Sequence, residues 1–387
     1  MWVGIRLWII AVGLFTLPGS LDPFWRPKAW LFLLGMLILT ASRYKQVRIA
    51  VTPVPWLIAY IAILFSWQFM SKPAFLTPEN RTIIWNMSLL LPFLVTFASL
   101  IVAMKWIEGF APQELIFPIS ACCCLAGIIA LHSLAQAIGM TQWLSSEDVG
   151  RSAIFSTLGN RMLVGNLLAI TAPLFLIFKR GWIGMLLCTG VTILVYNRAG
   201  MLALLVSSFL FLILHQKGYK QVVFGVIAII SAWCLFLHFS FSNGHLLDGH
   251  RLVMWQETWN YFLQNNMAIT GYGLGSLESI FRQAGTQHIL HASTFHHPHN
   301  EFLLILFELG PIGSAIILWG LLSLFIRIFR SKKNLMMVCL LCSFVNILII
   351  SLFSFPLHVA PIALIALIVW VGLEITTHNN GVTYVSA

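Results

Sequence analysis

Three short polar segments, each followed directly by an apolar run, carry the residue types that bind anions. They are Gly159-Asn160-Arg161, Asn197-Arg198-Ala199-Gly200 and His299-Asn300-Glu301. Asparagine is a favourable N-cap, and the start of a helix exposes unpaired N–H groups with partial positive charge. Helix starts and arginines gathered in one place are what the binding of a phosphate or a diphosphate requires. The three segments are therefore the first candidates for a functional site.

The arginines differ in how strongly they indicate function. For Arg161, an ordinary cap with an interfacial arginine explains the pattern equally well. Arg198 lies between two apolar runs that leave almost no loop to hold it in water, which favours a functional role. Arg251 opens a stretch with apolar residues at helical spacing, 251–265, which predicts an amphipathic surface helix. A cation in the first turn of that helix opposes its dipole, so Arg251 indicates an anionic partner.

The densest cluster of titratable residues runs from His296 through His297 and His299 to Glu301. Three histidines and a carboxylate suggest zinc, but a proline separates His297 from His299, and the sequence has no H-E-x-x-H pair and no cysteine nearby. We therefore expect a histidine that acts without a metal, and no cofactor. Glu308 follows Glu301 on the same helix face, and we expect it to face the protein interior and an arginine.

The composition is that of an integral membrane protein. Hydrophobic types make up 59% of the 387 residues, only 9% are charged, and the mean hydropathy is +0.90. A bilayer-spanning helix takes about 20 apolar residues, so the chain has room for about a dozen spans and for no sizeable soluble domain. The seven Cys all fall in apolar runs and predict no disulfide framework.

Apolar runs bounded by charged residues or by Gly, Pro and Asn predict an all-α fold with about 12 transmembrane helices. They lie near 2–18, 28–42, 51–69, 87–104, 115–139, 161–178, 181–196, 199–215, 221–238, 301–328, 335–353 and 356–373. Lys and Arg cluster in the alternate short loops, which predicts that both termini are cytoplasmic. The net charge of +10 is therefore an orientation signal and does not indicate a nucleic-acid partner.

One connection is far longer than the others. Residues 239–300 separate the ninth and tenth predicted helices, lie on the periplasmic side in this topology, and hold most of the chain's 12 His. Long loops in compact proteins are usually functional. We interpret residues 1–387 as one polytopic membrane domain with one large periplasmic loop that contains the amphipathic helix, and we expect the site to face the periplasm.

At these residues the sequence resembles the O-antigen ligase superfamily, which includes O-antigen polymerases and bacterial protein O-oligosaccharyltransferases. The family's pattern of an arginine, three residues and a leucine is met at 198–202. Its second pattern is His, then Asn, Ser or Gln, nine residues and Gly-x-x-Gly, and it is met by His299, Asn300, Gly310 and Gly313. The segments at 251–255, 271–275 and 355–357 also look familial.

The resemblance implies a polytopic glycosyltransferase, similar to the GT-C class, in the bacterial inner membrane. It would move a glycan from an undecaprenyl diphosphate carrier to an acceptor, without a metal and with inversion at the sugar carbon. Arg198 and Arg251 would hold the diphosphate, with Arg161 added from the physical argument above. His299 would activate the acceptor hydroxyl or assist the diphosphate. Supporting roles are expected for His297, Asn300, Glu308, Gly310 and Gly313.

Several interpretations stay open within and beyond this family. The acceptor is lipid A-core in lipopolysaccharide biosynthesis, a pilin-like protein in protein O-glycosylation, or a growing glycan in a polymerase. A polytopic transporter of lipid-linked glycans is the alternative from a different class, because intramembrane Arg and Glu also line substrate paths. Such folds often show broken helices in two similar halves, whereas the polar residues here gather around one loop.

Overall fold

The computed structural model describes residues 2–15, 28, 31–32, 34–35, 112–140, 154–215, 219–241, 249–264, 269, 271–272, 277 and 298–378. Every regular element in these ranges is a helix, as the sequence predicted. The predicted spans at 51–69 and 87–104, and most of the span at 28–42, lie outside the described residues. His296 and His297 also lie outside them.

Ten α-helices account for most of the described residues. They are α1 (Trp2–Leu14), α2 (Ile116–Ala137), α3 (Arg161–Thr171), α4 (Trp182–Leu194), α5 (Arg198–Leu214), α6 (Tyr219–Phe241), α7 (Gly249–Gln264), α8 (Glu301–Arg330), α9 (Leu335–Ser351) and α10 (Ala360–His378). Short 3₁₀ helices occur at Pro112–Leu115, Ser156–Leu158, Ala172–Ile177 and Pro356–His358. Helix α7 is the amphipathic helix predicted at 251–265, and the other α-helices coincide with predicted spans.

The last predicted span begins later than the apolar pattern indicates. Pro356 opens a 3₁₀ helix that ends at His358, and α10 begins at Ala360 instead of residue 356. Proline lacks a backbone donor and disfavours helical geometry in the residue before it, so α9 cannot continue into α10. Residues 352–359 therefore form a turn that lies outside both helices, and we refer to it as the 352–359 turn.

Among the residues that the structure describes, three helices are long and apolar enough to cross a membrane, at Gln113–Ala137, Glu301–Arg330 and Ala360–Thr377. Shorter apolar helices of 10–17 residues accompany them, including Arg161–Ile177, Arg198–Leu214 and Leu335–Ser351. Length and composition thus support a membrane protein. The full number of spans and the periplasmic position of the long loop stay predictions.

Two hydrophobic cores organise the helices. The larger core contains buried side chains of the helix bundle, among them those of the second half of α8. The smaller core contains Phe262, Leu277, Leu304 and Phe307, with Tyr272 packed against it. The rings of Tyr272 and Phe307 stack with their centroids 4.7 Å apart. Aromatic packing of this kind adds to simple area burial, and it holds α7 on the first half of α8.

Helix α8 is kinked at Gly310, where φ is 68° and ψ is −177°. Only glycine adopts this backbone conformation without a large steric cost. The N–H of Tyr272 donates to the carbonyl of Phe307, 3.1 Å away, beside the kink. A Cβ atom on Gly271 would collide with the backbone of Glu308 and Gly310. The long loop therefore contacts α8 closely at the one place where the helix is interrupted.

The helix ends form two groups. At one end of the bundle, α3, α5 and α8 begin near the 352–359 turn, and we call this the site end. At the opposite end, Nη2 of Arg327 lies 2.6 and 2.7 Å from the two carboxylate oxygens of Glu374. Helices α8 and α10 therefore run in the same direction, which agrees with the predicted alternation of the spans.

The predicted topology puts Lys45, Lys217 and Lys332 in the cytoplasm and residues 239–300 in the periplasm. Reporter fusions at Lys217 and Ala284 should therefore report opposite sides of the membrane, since basic residues are retained on the cytoplasmic side. A fusion at Lys332 is the control, and it should report the same side as the fusion at Lys217. The topology is wrong if Lys217 and Ala284 report the same compartment.

Candidate active site

The three helix starts singled out in the sequence share one backbone pattern. A residue in the left-handed region comes first, then an extended asparagine, then a charged first residue of the helix. The left-handed residues are Gly159 (φ 72°), Tyr196 (φ 60°) and His299 (φ 51°). A residue other than glycine pays about 1–3 kcal/mol for such a conformation, and it persists only where its surroundings hold it. Tyr196 and His299 are held in this way.

Each asparagine forms the N-cap that the sequence predicts. The side-chain oxygen of Asn160 accepts from the N–H of Met162 at 2.8 Å. The equivalent bond of Asn197 runs to Gly200 at 2.9 Å, and that of Asn300 runs to Leu303 at 3.0 Å. The remaining N–H groups of each first turn keep the partial positive charge of a helix start.

Asn197 also connects α5 to α3. Its Nδ2 donates to the carbonyl of Met162 at 2.7 Å and to Oδ1 of Asn166 at 2.8 Å. Nδ2 of Asn166 in turn donates to the hydroxyl of Ser354 at 3.1 Å. A Cβ atom on Gly165 would collide with Asn197, so the glycine permits this close approach. The network joins both helix starts that carry arginines, α3 and α5, to the 352–359 turn.

Helix α7 reaches the same turn from the long loop. Nη1 of Arg251 donates to the carbonyl of Phe353 at 2.9 Å, and the indole N–H of Trp255 donates to the carbonyl of Pro298 at 2.7 Å. The Trp255 and Phe353 rings lie 6.5 Å apart, centroid to centroid. The position of Arg251 in the first turn of α7, unfavourable for the helix alone, is thus compensated in part by a carbonyl outside the helix.

His299 lies between α7 and the 352–359 turn. Its ring is 5.0 Å from the ring of Phe355, centroid to centroid. Burial lowers the pKa of His299, and the positive charge of Arg251 lowers it further, to about 4. The imidazole is therefore neutral at pH 7, with one ring nitrogen able to accept a proton.

A carboxylate follows His299 by two residues and faces the same turn. Glu301 is 3% exposed, and its Oε1 accepts from the N–H of Leu357 at 2.9 Å and lies 3.2 Å from Nδ1 of His358. Burial by itself lowers the pKa of His358, but the charge and hydrogen bond of Glu301, with the charge of Glu308, raise it to about 9. His358 is thus an imidazolium at pH 7, paired with Glu301.

The remaining predicted residues have structural explanations. Glu308 is 6% exposed, so it faces the interior as predicted, and its charge acts on His358. Its predicted arginine partner stays a prediction. Gly310 forms the kink of α8. A Cβ atom on Gly313 would collide with Cβ of Leu309, one turn earlier. The two glycines of the Gly-x-x-Gly pattern are thus required by a kink and by close packing, respectively.

The structure brings most of the predicted site residues to the site end. Arg251 and His299 are close enough for the arginine charge to act on the imidazole. Arg161 and Arg198 are the first residues of α3 and α5, and the Asn197 network joins both helix starts to the 352–359 turn. His297 lies outside the described residues.

Sequence reasoning missed two residues of this arrangement. His358 was not considered, although 355–357 beside it was singled out by family resemblance. Asn166 was assigned no role, because a single asparagine in an apolar helix has no distinctive spacing. The useful signal in both cases is a polar residue within or beside a membrane span, since such residues are costly unless they have a specific partner.

Within the part of the chain that the structure describes, no group of three or more His, Cys, Asp and Glu side chains is arranged to hold a metal ion. Because His296 and His297 are not among those residues, the zinc alternative is left to experiment. The described site offers instead arginines, helix starts and a neutral histidine. These groups stabilise negative charge and accept a proton.

Part of this chain is similar to a known protein family. No curated protein matches the chain. A family model does match, over a stretch that includes Arg198, Arg251, His299, Gly310 and Gly313 but ends before the 352–359 turn. The motif-based resemblance is thereby confirmed, since residues 183–318 match the family described as O-antigen ligase, whose members are membrane glycosyltransferases of the ligase or polymerase type.

Proposed function

We propose that this protein transfers a glycan from undecaprenyl diphosphate to an acceptor at the periplasmic face of the bacterial inner membrane. The observation that carries the proposal is the convergence of three helix starts and α7 on the 352–359 turn. This convergence gathers Arg198, Arg251 and the neutral His299 at one end of the bundle. Arginines and helix starts suit a diphosphate, and a neutral histidine suits an incoming hydroxyl.

The reaction needs little from the protein beyond charge stabilisation and positioning. The acceptor oxygen forms a bond to the anomeric carbon of the sugar, and the bond from that carbon to the phosphate oxygen breaks. The electron pair leaves with undecaprenyl diphosphate, where Arg198, Arg251 and the helix starts stabilise the added charge. The hydroxyl proton passes to His299 and then to solvent. Attack opposite the leaving group inverts the configuration at the sugar carbon.

Two roles for His299 are consistent with this chemistry. As a base, it accepts the proton of the acceptor hydroxyl. As a donor, it gives a hydrogen bond to the diphosphate. The low pKa keeps the imidazole neutral at pH 7, with one ring nitrogen that accepts a proton and one N–H that donates a hydrogen bond, so it agrees with both roles. A protonated histidine beside Arg251 would also repel the arginine, so the neutral form suits a cationic site.

The proposed reaction takes different forms with different classes of acceptor. Lipid A-core and a pilin-like protein are acceptors of the ligase type, and a second lipid-linked glycan is the acceptor of a polymerase. The supporting observation, arginines and helix starts gathered beside a neutral histidine, is common to all three. The choice among them is therefore made by assay.

The test supplies purified protein in detergent with undecaprenyl-diphosphate-linked glycan that is radiolabelled in the sugar. We expect label to move to lipid A-core or to a pilin-like protein, with release of undecaprenyl diphosphate, because bond cleavage at the anomeric carbon separates glycan from carrier. Transfer only onto a second donor molecule would identify a polymerase. If the carrier stays intact in detergent while vesicles move the intact donor across the bilayer, the protein is a transporter and the proposal is wrong.

A further inference from the structure

Glu301 has more contacts than a first-turn carboxylate needs. A glutamate at a helix start gains from the helix dipole while exposed to solvent, and here Asn300 already forms the N-cap. Glu301 is instead 3% exposed and accepts from Leu357 and His358, which follow it by more than fifty residues. Burial of a carboxylate is costly unless it is paired and hydrogen-bonded. Its contacts join the start of α8 to the 352–359 turn.

The 352–359 turn contacts Arg251 and His299, the two side chains that are expected to carry the reaction. The carbonyl of Phe353 accepts from Arg251 at 2.9 Å, and the ring of Phe355 lies against the ring of His299. His299 itself precedes Glu301 by two residues and has the strained φ of 51°. A strained residue persists only where neighbouring contacts hold it. Glu301 fixes the backbone on one side of His299, and the turn contacts its ring.

From this geometry we infer that Glu301 and His358 form a positioning pair, which holds the 352–359 turn against α8 and thereby sets the placement of His299 and Arg251. Neither residue is assigned a direct contact with substrate. The inference rests on the proposed transfer reaction for its activity readouts, whereas its unfolding readout does not depend on that reaction.

The Glu301–His358 pair contributes to stability over a defined range of pH. The charged groups of the described residues that face His358 and its turn include Glu301 and Glu308 from α8 and Arg251 from α7, with His299 beside them. The pKa of His358 in the folded protein, about 9, lies above the value near 6.5 of an unfolded chain. The stability that the pair contributes is therefore fully present below about pH 6.5 and is lost as the pH rises through about 9.

The principal variant is Glu301→Gln, which keeps an oxygen that can accept from Leu357 but removes the charge. We expect kcat to fall about 10- to 100-fold at neutral pH, as expected when catalytic groups are displaced by a fraction of an ångström to 1 Å. Wild-type activity should decline as the pH rises through about 9, where His358 loses its proton and the pair is broken. This decline should be absent from the profile of the variant, because His358 without its carboxylate loses its proton at lower pH. A merely structural defect would lower activity by the same factor at every pH.

The second measurement is a double-mutant cycle of thermal unfolding with Glu301→Gln, His358→Gln and the double variant. At about pH 7 we expect the two losses in Tm to be clearly non-additive, and the non-additivity should shrink above about pH 9, where the imidazolium is deprotonated. If Glu301→Gln does not fold, His358→Gln alone should still remove the decline near pH 9.

Glu374→Gln is the matched control, because it removes a carboxylate from a cation at the opposite end of the bundle. It should lower Tm and leave the pH profile unchanged. Additive Tm losses at neutral pH would show that Glu301 and His358 do not interact, whatever the activity. Non-additive losses combined with wild-type kcat and pH profile in Glu301→Gln would overturn the positioning role and leave the proposed transfer reaction intact. Absence of transfer in the wild type, with the cycle as expected, would instead refute the proposed function.

Discussion

Replacement of His299 by alanine is expected to abolish glycan transfer, with turnover reduced about 10²- to 10⁴-fold, the usual contribution of a general base. The protein should remain folded in the membrane, because the N-cap bond of Asn300 and the contacts of Glu301 do not use the imidazole. The substitution also leaves the backbone strain unchanged, since a φ of 51° is strained for alanine as well as for histidine. The measurement is turnover of labelled lipid-linked donor, with Tm as the test of folding.

His296→Ala and His297→Ala are the neighbouring controls, each assayed with and without EDTA. We expect both to keep most of the activity, because only His299 has the family spacing to Gly310 and Gly313. EDTA should have no effect. A chelator-sensitive enzyme that binds metal through two or more of these histidines would overturn the metal-free mechanism.

The pH dependence provides an independent check on His299. Burial and the charge of Arg251 lower its pKa to about 4, so the base should stay active well below the ordinary histidine pKa of about 6.5. On the acidic side, activity is expected to fall only as the pH approaches about 4, where the imidazole gains a proton. A loss of activity as the pH falls through the ordinary value would mean that His299 is solvated in the working enzyme. A loss as the pH rises through that value would mean that it acts as a proton donor.

Much of the fold could be predicted from hydropathy and from helix-start residues. Apolar runs located α1, α2 and the helices after residue 160 to within a few residues, because burial of apolar surface needs long uninterrupted runs. Asn160, Asn197 and Asn300 were identified as caps because N-capping is a local interaction. The amphipathic helix α7 was likewise found from its spacing alone.

The rest depends on contacts between distant parts of the chain. Glu301 and His358 lie far apart in sequence, and no local pattern indicates that one will accept a hydrogen bond from the other. The left-handed conformations of Tyr196 and His299 oppose the residues' own preference, so local propensity does not predict them. The docking of Gly271 on the kink at Gly310 requires two glycines in different elements to meet. Sequence periodicity carries none of this information.

In the proposed reaction, arginines at separate helix starts bind one ligand, and the convergence on the 352–359 turn is the geometry that supports this proposal. The turn accepts from Arg251 through Phe353 and from the α3–α5 network through Ser354. It also contacts the His299 ring through Phe355. Neighbouring residues of one short segment therefore fix the relative positions of four helices, α3, α5, α7 and α8. A diphosphate bound there would contact groups whose geometry is set before binding, which lowers the entropy cost of stabilising the leaving group.

Arg198→Ala and Arg251→Ala are each expected to lower transfer about 10²- to 10³-fold, the loss seen when one preorganised donor to a developing negative charge is removed. Arg→Lys at either position should still lower the rate of transfer about 10- to 100-fold. A hydrogen bond to a charged group contributes about 1.5–3 kcal/mol, and the ammonium group of lysine cannot replace the planar, bidentate guanidinium of arginine. The assay is release of undecaprenyl diphosphate, together with the KM for the lipid-linked donor.

The effects of substituting Arg198 and Arg251 on transfer should differ from each other and from the effect of substituting an arginine elsewhere in the protein. Arg251→Ala removes a charge that lowers the pKa of His299. The acidic decline of the residual activity of this variant should therefore move to higher pH, and the acidic decline of Arg198→Ala is the comparison. Arg327→Lys, which alters an ion pair at the opposite end of the bundle, is the control and should transfer normally. Near-normal transfer by Arg198→Lys would exclude bidentate diphosphate binding at that position. Near-normal transfer by both alanine variants would show that the helix starts alone bind the leaving group, and the assignment of the diphosphate to these arginines would be wrong.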